Sequence, residues 1–102
     1  DAPGYHAIIR NNRSFGNMNL VPLGGAGTKD GNGILIDDFR SSSGTNPTNI
    51  NFPHRTLIEN NLCYDNGGKG LQVFKSDKVD VFNNTVYHNN HDLQSTSTWR
   101  GE

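Results

Sequence analysis

Three carboxylates, Asp30, Asp37 and Asp38, fall within nine residues of this chain. Ca²⁺ is a hard cation that collects several oxygen ligands, so such a cluster could hold one. Asp30-Gly-Asn-Gly looks like a calcium turn, although it lacks the later acidic positions and the closing Glu of an EF-hand loop. Two carboxylates ~5–10 Å apart could instead hydrolyse a glycosidic bond, and Asp37 with Asp38 or Asp30 could supply them. The plain alternative is that these are solvated turn residues. A fourth group enters by alignment. Gly33-Ile-Leu-Ile-Asp-Asp38 resembles Gly70-Leu-Gln-Val-Phe-Lys75, and superposing the glycines sets Asp37 level with Phe74 and Asp38 level with Lys75. On neighbouring strands that separation would be ~5 Å. Taken alone, the pair is an exposed ion pair worth under ~1 kcal/mol.

The elements that would position these groups are themselves repeated. Thr56-Leu-Ile-Glu-Asn-Asn-Leu-Cys-Tyr-Asp-Asn66 is echoed 23 residues later by Val79-Asp-Val-Phe-Asn-Asn-Thr-Val-Tyr-His-Asn89. Ala7-Ile-Ile-Arg-Asn-Asn-Arg-Ser-Phe-Gly-Asn17 precedes the middle copy by 49 residues. Two insertions, about 18–30 and about 41–55, account for the extra length of the first interval. Short β-branched or aromatic runs separated by Asn, Asp, Gly and Ser are strand and turn chemistry. A repeat in the twenties signals stacked units. The expected fold is all-β: a right-handed parallel β-helix of about three rungs of ~23 residues. At a period of two, Ala7, Ile9, Ile34, Ile36, Thr56, Ile58, Leu71, Val73, Val79 and Val81 point inward. The aligned Asn-Asn pairs, with Asn17, Asn66 and Asn89 five residues on, predict amide ladders at the bends; which Asn of each pair faces in is left open. Cys63 aligns with Ser14 and Val86 and reads as a small packing residue, and a lone cysteine forms no internal disulfide.

The pattern hydrophobic-x-hydrophobic-x-Asn-Asn-x-x-aromatic-x-Asn, followed by Gly-Leu-x-Val, resembles right-handed parallel β-helix proteins of the pectate-lyase-like group over about residues 6–95. That architecture serves lyases, hydrolases, epimerases, adhesins and tail spikes alike. Family 9 pectate lyases are similar in placing Asp-bound Ca²⁺ beside a lysine base on a neighbouring rung. The resemblance implies Asp30, Asp37 and Asp38 on Ca²⁺ and Lys75 as base. Ca²⁺ would neutralise a uronate carboxylate, the base would take the adjacent proton, and the 4-linked glycosidic oxygen would leave. Lysine acts as a base only when neutral, a form that a nearby cation favours. Arg40, His54, Arg55 and Lys69 would grip the anionic sugar, the arginines through their forked donors. The implied function is Ca-assisted β-elimination on an acidic polysaccharide, in a secreted or periplasmic protein of bacterial type. The alternatives are a glycoside hydrolase using paired Asp, and a non-catalytic carbohydrate-binding or structural segment in which Tyr64, Tyr87, Phe74 and Trp99 stack sugars.

Composition limits the partners. A net charge of −1 with no basic run argues against nucleic acid, and no stretch is apolar enough for a membrane span. Hydrophobic residues make up only 31%, which suits a narrow core lined by polar ladders. The Gly-rich stretch 24–32 lacks the Lys-Ser/Thr ending of a phosphate-binding loop. Residues 1–102 read as one segment without polar caps. A strand starts within seven residues of Asp1, and another begins at Leu93. The expectation is a piece of a longer β-helix, or a chain that associates end to end through open edges.

Overall fold

In a computed structural model, residues 3–20, 30–40 and 51–91 are described. Residues 21–29 and 41–50, which make up most of the two expected insertions, lie outside that set, as do Leu93 and Trp99. The described chain is all-β. Its strands are β1 (Tyr5–Arg10), β2 (Arg13–Phe15), β3 (Ile34–Asp37), β4 (Arg55–Glu59), β5 (Leu62–Tyr64), β6 (Leu71–Phe74), β7 (Val79–Phe82) and β8 (Thr85–Tyr87). Each of β1 to β5 pairs in parallel with the strand three elements further on, giving sheets ordered β1-β4-β7, β2-β5-β8 and β3-β6.

The register follows the sequence repeat. Ile58 lies between Ile9 and Val81, Cys63 between Ser14 and Val86, and Tyr64 between Phe15 and Tyr87. In the third sheet Ile36 pairs with Val73 and Asp37 with Phe74. Parallel strands cannot be joined by two-residue hairpins. Here β1 passes to β2, β4 to β5 and β7 to β8 through sharp bends that begin at Asn11, Asn60 and Asn83. All three have left-handed backbone angles, with φ of 58°, 55° and 50°. Asn adopts that region more readily than most residues because its short amide bonds locally.

The first Asn of each pair therefore turns the chain, and the second makes the ladder. Asn61 Oδ1 accepts from Asn12 N (3.0 Å) and Asn12 Nδ2 (2.9 Å), and Asn84 Oδ1 accepts from Asn61 N and Nδ2 (both 2.9 Å). A second ladder runs through Asn17, Asn66 and Asn89. Asn17 N and Nδ2 donate to Asn66 Oδ1 (3.1 and 2.8 Å), and Asn66 N and Nδ2 donate to Asn89 Oδ1 (3.2 and 2.8 Å).

Burial is concentrated in the middle unit: Thr56, Ile58, Asn61, Cys63 and Asn66 are essentially closed to solvent. Two residues expected to face inward, Val73 and Val81, are exposed, at 38% and 43%. They lie level with the buried Ile36 and Ile58 but sit on edge strands, and no further strand among the described residues covers them. Leu57 departs from simple alternation. It adjoins Ile58 and so faces the other side of the sheet, yet it is buried too.

Candidate functional site

Strands β3 and β6 end together, and the chain turns at Asp38 and Lys75, which share left-handed φ angles of 58° and 44°. Asp38 N donates to Phe74 O (3.2 Å) and Arg40 N to Lys75 O (3.0 Å), so these two bends are stacked as the strands are. Strict alternation would turn both side chains inward. The bend changes this for Lys75, which is exposed, with Nζ 5.1 Å from the Phe74 ring centroid; Asp38 is half-buried, and its Oδ1 is shut off from solvent. Asp37 is exposed and lies level with Phe74. Asp30 is also exposed but stands on the far side of β3. Four extended residues span ~13 Å, so a strand separates Asp30 from Asp37 and Asp38. Asp30, Asp37 and Asp38 are not gathered into a three-ligand group with donor atoms in mutual reach.

The cationic residues expected to grip an anion have partners of their own or stand exposed. Arg40 holds Asp77 through Nε (3.2 Å to either carboxylate oxygen) and through its terminal nitrogen (2.8 Å). Arg55 binds Asp80 through Nε (3.0 Å) and through a second, terminal nitrogen. Hydrogen bonds from Tyr5 and Arg55 hold the Asp80 carboxyl below its ordinary value, while the bond to Asp80 pushes the Tyr5 phenol up. These pairs are solvent-exposed and add little stability. They do engage both arginines with carboxylates of the chain itself. His54 stacks on His6, with ring centroids 4.4 Å apart, and lies edge-on to Phe52. Lys69 is exposed, and its backbone N donates to Asn32 Oδ1 (2.8 Å).

Tyr64 is enclosed by other rings. Phe15, Tyr64 and Tyr87 form a parallel column with centroid spacings of 5.1 and 5.3 Å and interplanar angles of 7° and 4°. Both faces of Tyr64 are covered, so its ring has no free face for a sugar; Arg13 caps the column's side, 2.6 Å from the Tyr64 hydroxyl. Cys63 is buried and burial pushes its thiol up from the ordinary value, as a packing residue rather than a nucleophile requires.

A second bend, after β5 and β8, gathers groups that were not singled out in the sequence. Asp65 and His88 both have φ of 53°, one repeat apart. Asp65 Oδ1 lies 2.6 Å from His88 Nδ1 and 3.9 Å from His91 Nε2. The signal was present in the 23-residue offset, which aligns Asp65 with His88, with His91 three positions further on.

No family model, curated protein or solved structure matches the chain.

Proposed function

We propose that the three parallel sheets are the faces of a right-handed parallel β-helix, and that this β-helix belongs to a carbohydrate-active protein cleaving an acidic polysaccharide by Ca-assisted β-elimination. The observation that carries the catalytic reading is the shared bend at Asp38 and Lys75. It puts an acidic and a basic residue at equivalent positions of adjacent repeats, next to Asp37, just beyond the ends of paired strands. Asp37 and Asp38 would hold Ca²⁺, and Lys75 would accept the proton once the ion replaced the carboxylates' own attraction for the ammonium. Asp30 would need ligands beyond its own side of β3. The test is turnover of polygalacturonate followed by the ultraviolet absorbance of the unsaturated product. Activity should require Ca²⁺ and fall by ~100-fold or more in Lys75→Ala, the usual scale for losing a general base. Product without the double bond would transfer the reaction to hydrolysis by paired carboxylates.

Two observations favour the non-catalytic reading: Arg40 and Arg55 are both engaged by carboxylates, and the three aspartates do not converge. Binding of polyuronate without turnover would establish that reading.

The same β-helix would leave pairing edges at β1, β2 and β3 on one side and at β6, β7 and β8 on the other. A hollow of about 340 Å³ lined by Leu71, Val81, Phe82 and Val86 opens on the latter side. Such edges pair with further strands, from more of the same fold or from a second copy. Sedimentation of the 102-residue chain should show association at micromolar concentration; a dilute monomer with two-state melting would count against it.

A further inference from the structure

We propose that Asp65, His88 and His91 form a binding site for a divalent transition-metal ion of the zinc type, which ties the second repeat unit to the third.

Four observations lead there. First, among the described residues this group of three His, Cys, Asp or Glu side chains brings its ligand atoms within 4.8 Å of one another. Second, His91 Nε2 is shut off from solvent and makes no hydrogen bond; its nearest acidic neighbour, Asp65 Oδ1, is 3.9 Å away. A nitrogen shielded from water pays a desolvation cost that an ion between it and Asp65 would remove. Third, the backbone holding the ligands is fixed. Asp65 N donates to His88 O (3.0 Å), His91 N to Asn66 O (3.1 Å), and Asn90 N to Gly68 O (2.8 Å). Between the two histidines, Asn89 is the buried end of an amide ladder, and its Nδ2 donates to Cys63 O (3.1 Å) and Tyr87 O (2.9 Å). Fourth, the mouth is open: the side chains of Asp65 and His88 are 50% and 68% exposed, so an ion can enter.

The donor set selects the metal. Two imidazole nitrogens and one carboxylate suit Zn²⁺ and its d-block neighbours, whereas Ca²⁺ and Mg²⁺ require oxygen. Bonds of ~2.0–2.1 Å place tetrahedral ligand atoms about 3.3 Å apart. The separations of 2.6 and 3.9 Å lie on either side of that value. The ion would replace the Asp65–His88 hydrogen bond with two coordinate bonds, and any proton shared between them would pass to solvent. With three protein ligands, the remaining position is filled by water. Asp65 belongs to the second repeat unit and both histidines follow β8, so the ion cross-links the outermost paired strands of that sheet.

The experiment is calorimetric titration of Zn²⁺ into the metal-stripped chain near neutral pH, with Co²⁺ as an optical probe of the ligand field. One ion per chain is expected, with visible Co²⁺ bands and a melting temperature that rises with free Zn²⁺ by mass action. Mg²⁺ should give neither heat nor shift, and any Ca²⁺ held at Asp37 and Asp38 should leave the Zn²⁺ isotherm unchanged. His91→Ala and His88→Asn should each weaken binding about tenfold or more, since each removes one of three ligands. Asn keeps the left-handed bend at position 88, so His88→Asn separates ligation from folding. Should its circular dichroism differ from the parent's, the His91→Ala titration decides. The double variant His6→Ala/His54→Ala controls for the other histidine pair and should titrate as the parent does. No Zn²⁺ binding at millimolar ion overturns the proposal. So does binding that survives His91→Ala, or binding lost only with His6 and His54.

Discussion

Asn66→Ala is expected to lower the unfolding free energy by about 3–5 kcal/mol, because four side-chain hydrogen bonds are lost at once, among them those to the Ser14 carbonyl and the buried Asn89 amide. The Asn66 side chain is fully enclosed. Its Oδ1 accepts from Asn17 N and Nδ2, and its Nδ2 donates to Ser14 O (3.2 Å) and Asn89 Oδ1 (2.8 Å). Alanine supplies none of these bonds and leaves a void as well. Leaving a buried donor or acceptor unmade costs ~1–3 kcal/mol, about twice the net worth of forming an ordinary bond. Asn17 stands at the exposed end of the same ladder, so Asn17→Ala should cost only ~1 kcal/mol. Urea unfolding of both variants measures the difference. An Asn66→Ala loss no larger than that of Asn17→Ala would mean that the amides merely occupy the bend.

The repeat made most of the fold legible. Period-two alternation and the 23-residue offset placed Ile9, Ile58 and Val81 in one column, and Asn12, Asn61 and Asn84 in another, before any coordinates were needed. The division of labour within each Asn pair was not legible, because both residues have the same chemistry. It is decided by backbone angle: the first residue takes the left-handed bend, and the second is then carried to the ladder. The candidate site was less legible for a related reason. Proximity in sequence suggested that Asp30 would join Asp37 and Asp38, but a strand between them holds them apart. Alignment across repeats was the better guide. It set Asp37 level with Phe74, and, applied to Asp65, it leads to His88. In a parallel stack, chemistry collects from residues one repeat apart, so spacing along the chain is a poor measure of distance.

Gly33→Ala tests that stacking at a close backbone approach between β3 and β6. A Cβ at Gly33 would run into the backbone carbonyl oxygen of Gly70, and would sit 3.0 Å from Asn66 Nδ2 and 3.1 Å from Cys63 Cβ. The carbonyl cannot step aside freely, because it accepts the hydrogen bond from Ile34 N (2.9 Å) that begins the β3–β6 pairing. Gly33 is itself tied on both sides: its N donates to Lys69 O (2.8 Å), and its O accepts from Ser14 Oγ (2.7 Å). Relief of the clash must therefore break the pairing at its first bond or displace the buried amide of Asn66. The expected cost is ~3 kcal/mol or more, the upper range for overpacking. Gly70→Ala meets side chains rather than backbone: Val86 lies on an edge strand and can give way, whereas Asn89 Nδ2, 2.5 Å from the new Cβ, is held by its bonds to Cys63 O and Tyr87 O. Its cost should be nearer ~1–2 kcal/mol. Thermal or urea unfolding of the two variants gives the order directly. A Gly33→Ala protein as stable as the parent would mean that β3 does not pair with β6 in this register, and with that pairing the alignment of Asp38 with Lys75 would be lost.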